Sequence, residues 1–375
     1  MKKRLCIALL FMLVALAACG NNNTGTEGGG GQPTVNGKNE LNVQGVNDVD
    51  VTNMHGRIQG WDKMEAFYEN MQKGIASDLR VVHYTTEGDP MVTDLTYAGE
   101  SLEIMHDTSR DAFGSGGIST NDCGNLIKET NYTNTSYIAI DCNNGSHGMD
   151  EILQMNYNMS QQDRFELELK YGVDLENEIN TLTNTKKKAT ETKINSELDL
   201  PDNVMQEVYK RLVLTNYLAE KELQSSCEAE DAMDYHLKVH INGGEQNFRW
   251  AACDQSKDGV NLTQIAAYII EQSENTGTEK QDVTVGGYVL EIKDGTMLIG
   301  QELNMLDYQS LKDEIKEIDL EAFVFDFTSI TGVNTAEFNL GDKIHATIEG
   351  KITGSNPGMA KVKEIEKLES VESSN

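Results

Sequence analysis

The N-terminal stretch MKKRLCIALLFMLVALAACG constrains this chain more than any other, because it decides the compartment in which everything after it folds. Lys2, Lys3 and Arg4 give a positive start, and the apolar run from Ile7 to Ala15 is too short to span a bilayer, so the segment reads as an export signal. No later stretch approaches the roughly 20 apolar residues that a membrane helix needs. The rest of the chain is therefore expected to fold outside the cytoplasm, where thiols oxidise and disulfides persist.

The signal ends in Leu16-Ala17-Ala18-Cys19. This tetrapeptide resembles the lipobox of bacterial lipoproteins. The resemblance implies a signal peptide over residues 1–18, cleavage before Cys19 and a diacylglycerol on the Cys19 sulfur. An ordinary signal peptide with a chance cysteine, or an uncleaved anchor, is the competing reading. Buried methylenes contribute about 0.8 kcal/mol each, so two acyl chains hold durably where one is marginal. The expected location is the extracytoplasmic face of the cell membrane, with the lipid bilayer a partner through acylated Cys19. Residues 19–45 are rich in Gly, Asn and Thr and read as a flexible tether of roughly 25–30 Å.

The formal net charge is −30, spread along the chain, and the loss of Lys2, Lys3 and Arg4 makes it more negative. Such a surface repels phosphate backbones, so no nucleic-acid partner is expected. Four cysteines remain beyond Cys19: Cys123, Cys142, Cys227 and Cys253. Three pairings are open to them. Cys123–Cys142 and Cys227–Cys253 are favoured because each pair brackets one compact stretch, with free buried thiols the alternative. None of the spacings suits a zinc site, and neither a metal nor a cofactor is expected.

Length and periodicity divide the chain into units. Residues 46–145 read as an α+β domain: Met64, Phe67, Tyr68 and Met71 recur at helical spacing behind Asp62, a candidate cap. Leu79 to Tyr84, Met91 to Tyr97, Leu102 to His106 and Tyr137 to Ile140 read as strands, with a short helical stretch after Cys123. Residues 146–197 form a helical and polar connector. Within it the FELELKY run alternates like a strand, yet its composition favours a helix, the reading adopted. Residues 198–276 read as helix, hairpin and helix, the hairpin turning at Asn242-Gly243-Gly244. Residues 282–369 read as a small β-barrel of OB type with one helix near Tyr308, its first hairpin turning at Asp294-Gly295, and are expected to fold alone. The fold class expected is α+β and multi-domain, with antiparallel sheets in the first two units.

Three of these units carry resemblances. His55-Gly56-Arg57-Ile58, the run from Arg80 through Thr85-Thr86-Glu87-Gly88-Asp89-Pro90, and Asp122-Cys123-Gly124-Asn125-Leu126-Ile127 together resemble a domain of unknown function of Gram-positive, Bacillus-type lipoproteins. GYVLEI, LGDKIHATIEGKI, Ser355-Asn356-Pro357-Gly358 and AKVKEIEKLE resemble a second domain of unknown function found at the ends of the same lipoproteins. Neither resemblance implies a catalytic residue. The helix–hairpin–helix layout with Phe248-Arg249-Trp250 is distantly similar to emfourin-type inhibitors of bacterial metalloproteases.

Candidate chemistry is sparse. His236 and His240 fall on a strand, where four steps separate them by about 13 Å, too far to share an ion, and both read as solvent-facing. Asp254-Gln255-Ser256-Lys257-Asp258-Gly259 opens like a calcium loop but has Ile265 where the bidentate glutamate belongs, so it reads as a turn. Gly114-Ser115-Gly116-Gly117 lacks nucleotide-loop spacing, and Asp107-Thr108-Ser109 is followed by Arg110 where an aspartic-protease turn needs glycine. No nucleophile or HExxH pattern accompanies His55, His83, His106, His147 or His345. No catalytic residue is therefore named. The expected function is that of a noncatalytic, membrane-tethered binding or interaction protein for an unidentified protein or envelope ligand. A cell-surface protease inhibitor and a surface enzyme are the alternatives.

Overall fold

The computed structural model describes the backbone of residues 34–36 and 40–43, and residues 45–190, 196–198, 200–228, 232–274, 283–313, 315, 326–355 and 357–368. The expected signal peptide, with Cys6, and Cys19 lie outside the described residues. The architecture is α+β and multi-domain, mostly β, with antiparallel sheets, four α-helices among the described residues and a closed C-terminal barrel. No helix in these ranges is long and apolar enough to cross a membrane.

The N-terminal part is built on a six-stranded sheet ordered Arg57–Gln59, Val51–Met54, Ser77–Tyr84, Pro90–Tyr97, Leu102–Asp107 and Ile118–Cys123. Val51–Met54 and Ser77–Tyr84 run parallel; every other pairing is antiparallel. Helix α1, Trp61–Gln72, makes the crossover, and its stripe of Met64, Phe67 and Met71 is buried against the sheet. The N-cap is Gly60, not Asp62. Gly60 has φ 79°, and a Cβ there would stand 2.0 Å from the Asp50 carbonyl oxygen, so only glycine fits the bend. Asp62 instead lies in the first turn and pairs with Lys257 Nζ at 3.0 Å.

A three-stranded antiparallel sheet, Asn125–Thr130, Asn134–Ile140 and Met149–Asn156, packs over this core. The helical stretch expected after Cys123 is its first strand, in which Leu126 and Ile127 are both buried, one on each face. All seven residues of the central strand are buried. Tyr137 and Ala139 face the sandwich core, while Ile138 and Ile140 join Ile127, Met305 and Leu306 on the other side. The Cys123–Cys142 bridge joins the last strand of the large sheet to the end of that central strand.

The connector expected to be helical is strand. Phe165–Gly172, Asn177–Asn180, Thr185–Lys187 and Ser196–Glu197 join Asp234–Ile241 and Gly244–Ala251 in a second six-stranded sheet. Alternation decides the matter: Leu167, Leu169 and Tyr171 all face one core with Leu237 and Trp250, whereas a helix would spread them around its circumference. Helices α2, Asp202–Leu214, and α3, Lys257–Glu274, cover that face, and the Cys227–Cys253 bridge fastens the chain entering the hairpin to the loop that leaves it. Two more departures concern the expected linkers. Thr34–Asn36 and Glu40–Val43, within the expected tether, are short strands paired in sequence with Val46–Val49. Within the expected connector 146–197, Lys188 pairs with Glu274 at 2.8 Å, and Lys186 donates to the Ser273 carbonyl at 2.7 Å.

The C-terminal strands Val283–Lys293, Thr296–Gln301, Phe327–Thr331, Gly358–Lys367 and Lys343–Ile348 close a barrel in that order, with the third and fourth of them parallel. Its interior holds Val285, Val289, Met297, Ile299, Ile330, Ile344, Ala346 and Ile348. Helix α4, Met305–Leu311, carries a capping box in which Asn304 and Asp307 satisfy each other's backbone N–H groups. The remainder of the helix expected near Tyr308 falls largely outside the described residues.

Candidate binding cleft beside the His55–Gly56 turn

The bridging cysteines line none of the clefts described below, and the two strand histidines do not form a pair. His236 is buried, not solvent-facing: its strand is central in the second sheet, flanked by Lys170 and Arg249, and its Nε2 meets Asn247 Oδ1 at 2.7 Å. Asp254 serves a turn, accepting from the backbone N–H of Ser256 at 2.8 Å and of Gln224 at 2.9 Å just before α3. Asp107 likewise accepts from Ser109 N–H at 2.9 Å. Among the described residues no three His, Cys, Asp or Glu side chains gather as a metal set.

A cleft of about 630 Å³ lies where the N-terminal sandwich meets α2. One wall is the tight turn between Val51–Met54 and Arg57–Gln59, with His55 at φ 52° and Gly56 at φ 87°. Two successive positive φ values match a two-residue hairpin turn that histidine enters more readily than bulky residues do. Gly56 N–H donates to Asn53 Oδ1 at 2.9 Å, which fixes the turn and places Arg57 at the start of the return strand. The opposite wall is the end of α2 and the turn beyond it: Tyr209, Val213, Asn216, Tyr217 and Leu218. Tyr84, Met155 and Asn156 complete it.

The electrostatics of this cleft run against those of the chain. No carboxylate lines it, whereas Arg57 and His55 both do. Burial pushes the Tyr209 phenol up to about 12. Burial likewise raises Tyr84, and raises Tyr217 against the opposing influence of Arg57. All three rings are therefore neutral donors at ordinary pH. The Tyr84 hydroxyl is buried in the wall and has no hydrogen-bond partner among the described residues. A volume of this size with mixed apolar and polar walls suits a small-molecule site.

A second hollow of about 580 Å³ adjoins the first, sharing Gly56 and Asn156 with it. Here Thr93 Oγ1 lies 3.0 Å from His106 Nδ1, and His106 Nε2 lies 2.7 Å from Asp150 Oδ2. The order hydroxyl, imidazole, carboxylate is that of a nucleophilic triad. Thr93, however, is buried mid-strand between Val81 and His106, with its backbone in the ladder, where a hydroxyl is not presented to a substrate. Beside it, His83 Nε2 meets the Ile152 carbonyl at 3.0 Å, and burial holds this imidazole below the usual histidine range. These contacts fasten the large sheet to the small one.

The cleft is not legible in the sequence, because Tyr209 and Tyr217 approach the turn only after the chain has built both sheets. The signal within reach is local: in the HGRI run, His55-Gly56 has the chemistry of a two-residue hairpin turn.

Comparison with known proteins covers the two ends of the chain. Residues 48–138 match the family described as a domain of unknown function (DUF4362), which includes the His55–Gly56 turn and Tyr84. Residues 286–369 match a protein of unknown function (DUF3221), the barrel. No curated protein matches. Two solved structures of YobA from Bacillus subtilis are similar. The crystal structure is 20% identical over 24% of this chain and 100% of its own, with a TM-score of 0.19. The solution structure of residues 21–120 is 17% identical over 26% of this chain and 92% of its own, also with a TM-score of 0.19. Scores this low carry no argument about fold or function.

Proposed function

We propose that this protein is an extracytoplasmic lipoprotein, tethered to the cell membrane through acylated Cys19, that binds a ligand without chemically altering it. The cleft beside the His55–Gly56 turn is the observation that carries the reading. It combines a built volume of about 630 Å³, a carboxylate-free wall in an acidic chain, and neutral phenols and amides suited to recognition. The protease-inhibitor alternative loses weight because the middle hairpin does not protrude. Its turn is pinned by Asn242 N–H to the Arg164 carbonyl at 2.9 Å and by Arg164 N–H to Asn242 Oδ1 at 3.2 Å.

Two measurements test the proposal. Cys19→Ser should release the protein into the medium and end labelling by a fatty-acid analogue; unchanged membrane retention removes the anchor. Extraction of small molecules from the wild type purified from cells, set against Val213→Trp, which fills the cleft, should show a species carried by the wild type alone. Identical extracts, or turnover of the bound species, overturn noncatalytic binding at this cleft.

A further inference from the structure

We propose that the cleft takes a small organic carboxylate with an apolar body, its carboxylate seated on the Arg57 guanidinium. The inference rests on the binding reading above and names its ligand class. It begins with an imbalance of partners. Arg80, Arg110, Arg164 and Arg211 are each ion-paired to an acidic side chain, as expected when 61 acidic residues face 31 basic ones. Arg57 and Arg249 have no ion pair among the described residues, and of these two Arg57 lies on the wall of a cleft that no carboxylate lines.

The chemistry of the site narrows the ligand. A guanidinium presents a rigid fork that matches a carboxylate with two parallel hydrogen bonds. A phosphate dianion would call for more cationic or backbone donors than one arginine and a histidine supply. Apart from Asn156, Asn216 and two glycines, the rest of the wall is apolar or aromatic: Met54, Ile58, Met155, Val213, Leu218 and the tyrosine rings. Methionines adapt to irregular apolar shapes, which suits a short alkyl or aryl body. A free organic acid and the C-terminal carboxylate of an apolar peptide share this chemistry.

Calorimetric titration of the mature chain carrying Cys19→Ser separates these sources. The probes are 4-phenylbutyrate, N-acetyl-leucyl-phenylalanine, the primary amide of each, and inorganic phosphate. At least one acid should bind, with its amide weaker by tenfold or more, and phosphate should not bind. Tighter binding of phenylbutyrate identifies a free acid; tighter binding of the dipeptide identifies a chain terminus. Arg57→Gln, on an exposed position, should weaken the acid at least tenfold and leave the amide unchanged. Equal affinity of acid and amide, or an Arg57→Gln protein that binds the acid like wild type, overturns the carboxylate assignment and leaves the cleft a binding site. Silence of every probe against the wild type overturns the assignment too, while the comparison of extracts from wild type and Val213→Trp still decides whether the cleft binds anything.

Discussion

Lys343 Nζ lies 2.8 Å from Glu129 Oε1, and this contact joins the barrel to the three-stranded sheet with the two side chains only 12% and 5% exposed. The same carboxylate accepts from the Tyr288 hydroxyl at 2.7 Å and from the Met305 N–H at 2.7 Å. Both oxygens of Glu129 are thus answered by the barrel or α4. A buried carboxylate needs such partners to offset its desolvation.

Removing one partner should therefore cost more than removing both. Glu129→Leu strands the Lys343 ammonium, and urea unfolding should show a loss of about 3–5 kcal/mol. Adding Lys343→Met should restore much of it. A single-variant loss below about 1 kcal/mol, typical of exposed pairs, would show that water reaches the joint.

His83 makes stability depend on pH. Burial lowers its folded-state pKa, with nearby His106 acting in the same direction and the Ile152 carbonyl opposing. Its neutral form is the one the fold accommodates, so the contribution is fully present above the unfolded value of about 6.5. It is lost as pH falls through the folded value. His83→Gln should flatten the dependence of the urea midpoint between about pH 7.5 and 5, and an unchanged slope would place the sensitivity elsewhere.

The two bridges are open to direct mapping. Peptides recovered without reduction should contain Cys123 joined to Cys142 and Cys227 joined to Cys253. Cys227→Ser with Cys253→Ser should cost about 3 kcal/mol through the freed loop. Alkylation of all four thiols before reduction would contradict the pairing.

The barrel closes its own strand edges and has its own core, so residues 282–375 expressed alone should melt cooperatively. The joint adds a condition: the isolated piece leaves Tyr288, Lys343 and Met305 without Glu129, and should melt below the barrel within the whole chain. Equal melting would mean the joint contributes nothing, and a sloping, noncooperative melt would mean it is indispensable.

Local signals are legible in the sequence and distant pairings are not. Hairpins announced by Asn242-Gly243 and Asp294-Gly295, and the helix carrying Met64, Phe67 and Met71, can be read because turn chemistry and periodicity act over a few residues. The run from Phe165 to Tyr171 reads as helix because Glu, Leu and Lys favour one in isolation, and only pairing with Asp234–Ile241 overrides them. His236 reads as exposed because its burial depends on how many strands flank it, which alternation alone does not report. The cleft and the Glu129 joint escape for a related reason: Arg57 and Tyr217 line one cleft, and Glu129 meets Lys343, across folded units rather than along the chain.

The two-faced burial of Asn134–Ile140 sets an order of events while the protein is being made. The first core can close as soon as both N-terminal sheets exist, yet Ile127, Ile138 and Ile140 wait for Met305 and Leu306, which emerge far later. For that interval a newly made chain carries a greasy stripe with nothing to cover it, the kind of surface that aggregates or recruits chaperones. The vulnerable moment for this protein is thus not its mature life but the time between the emergence of its small sheet and the arrival of α4 and the barrel.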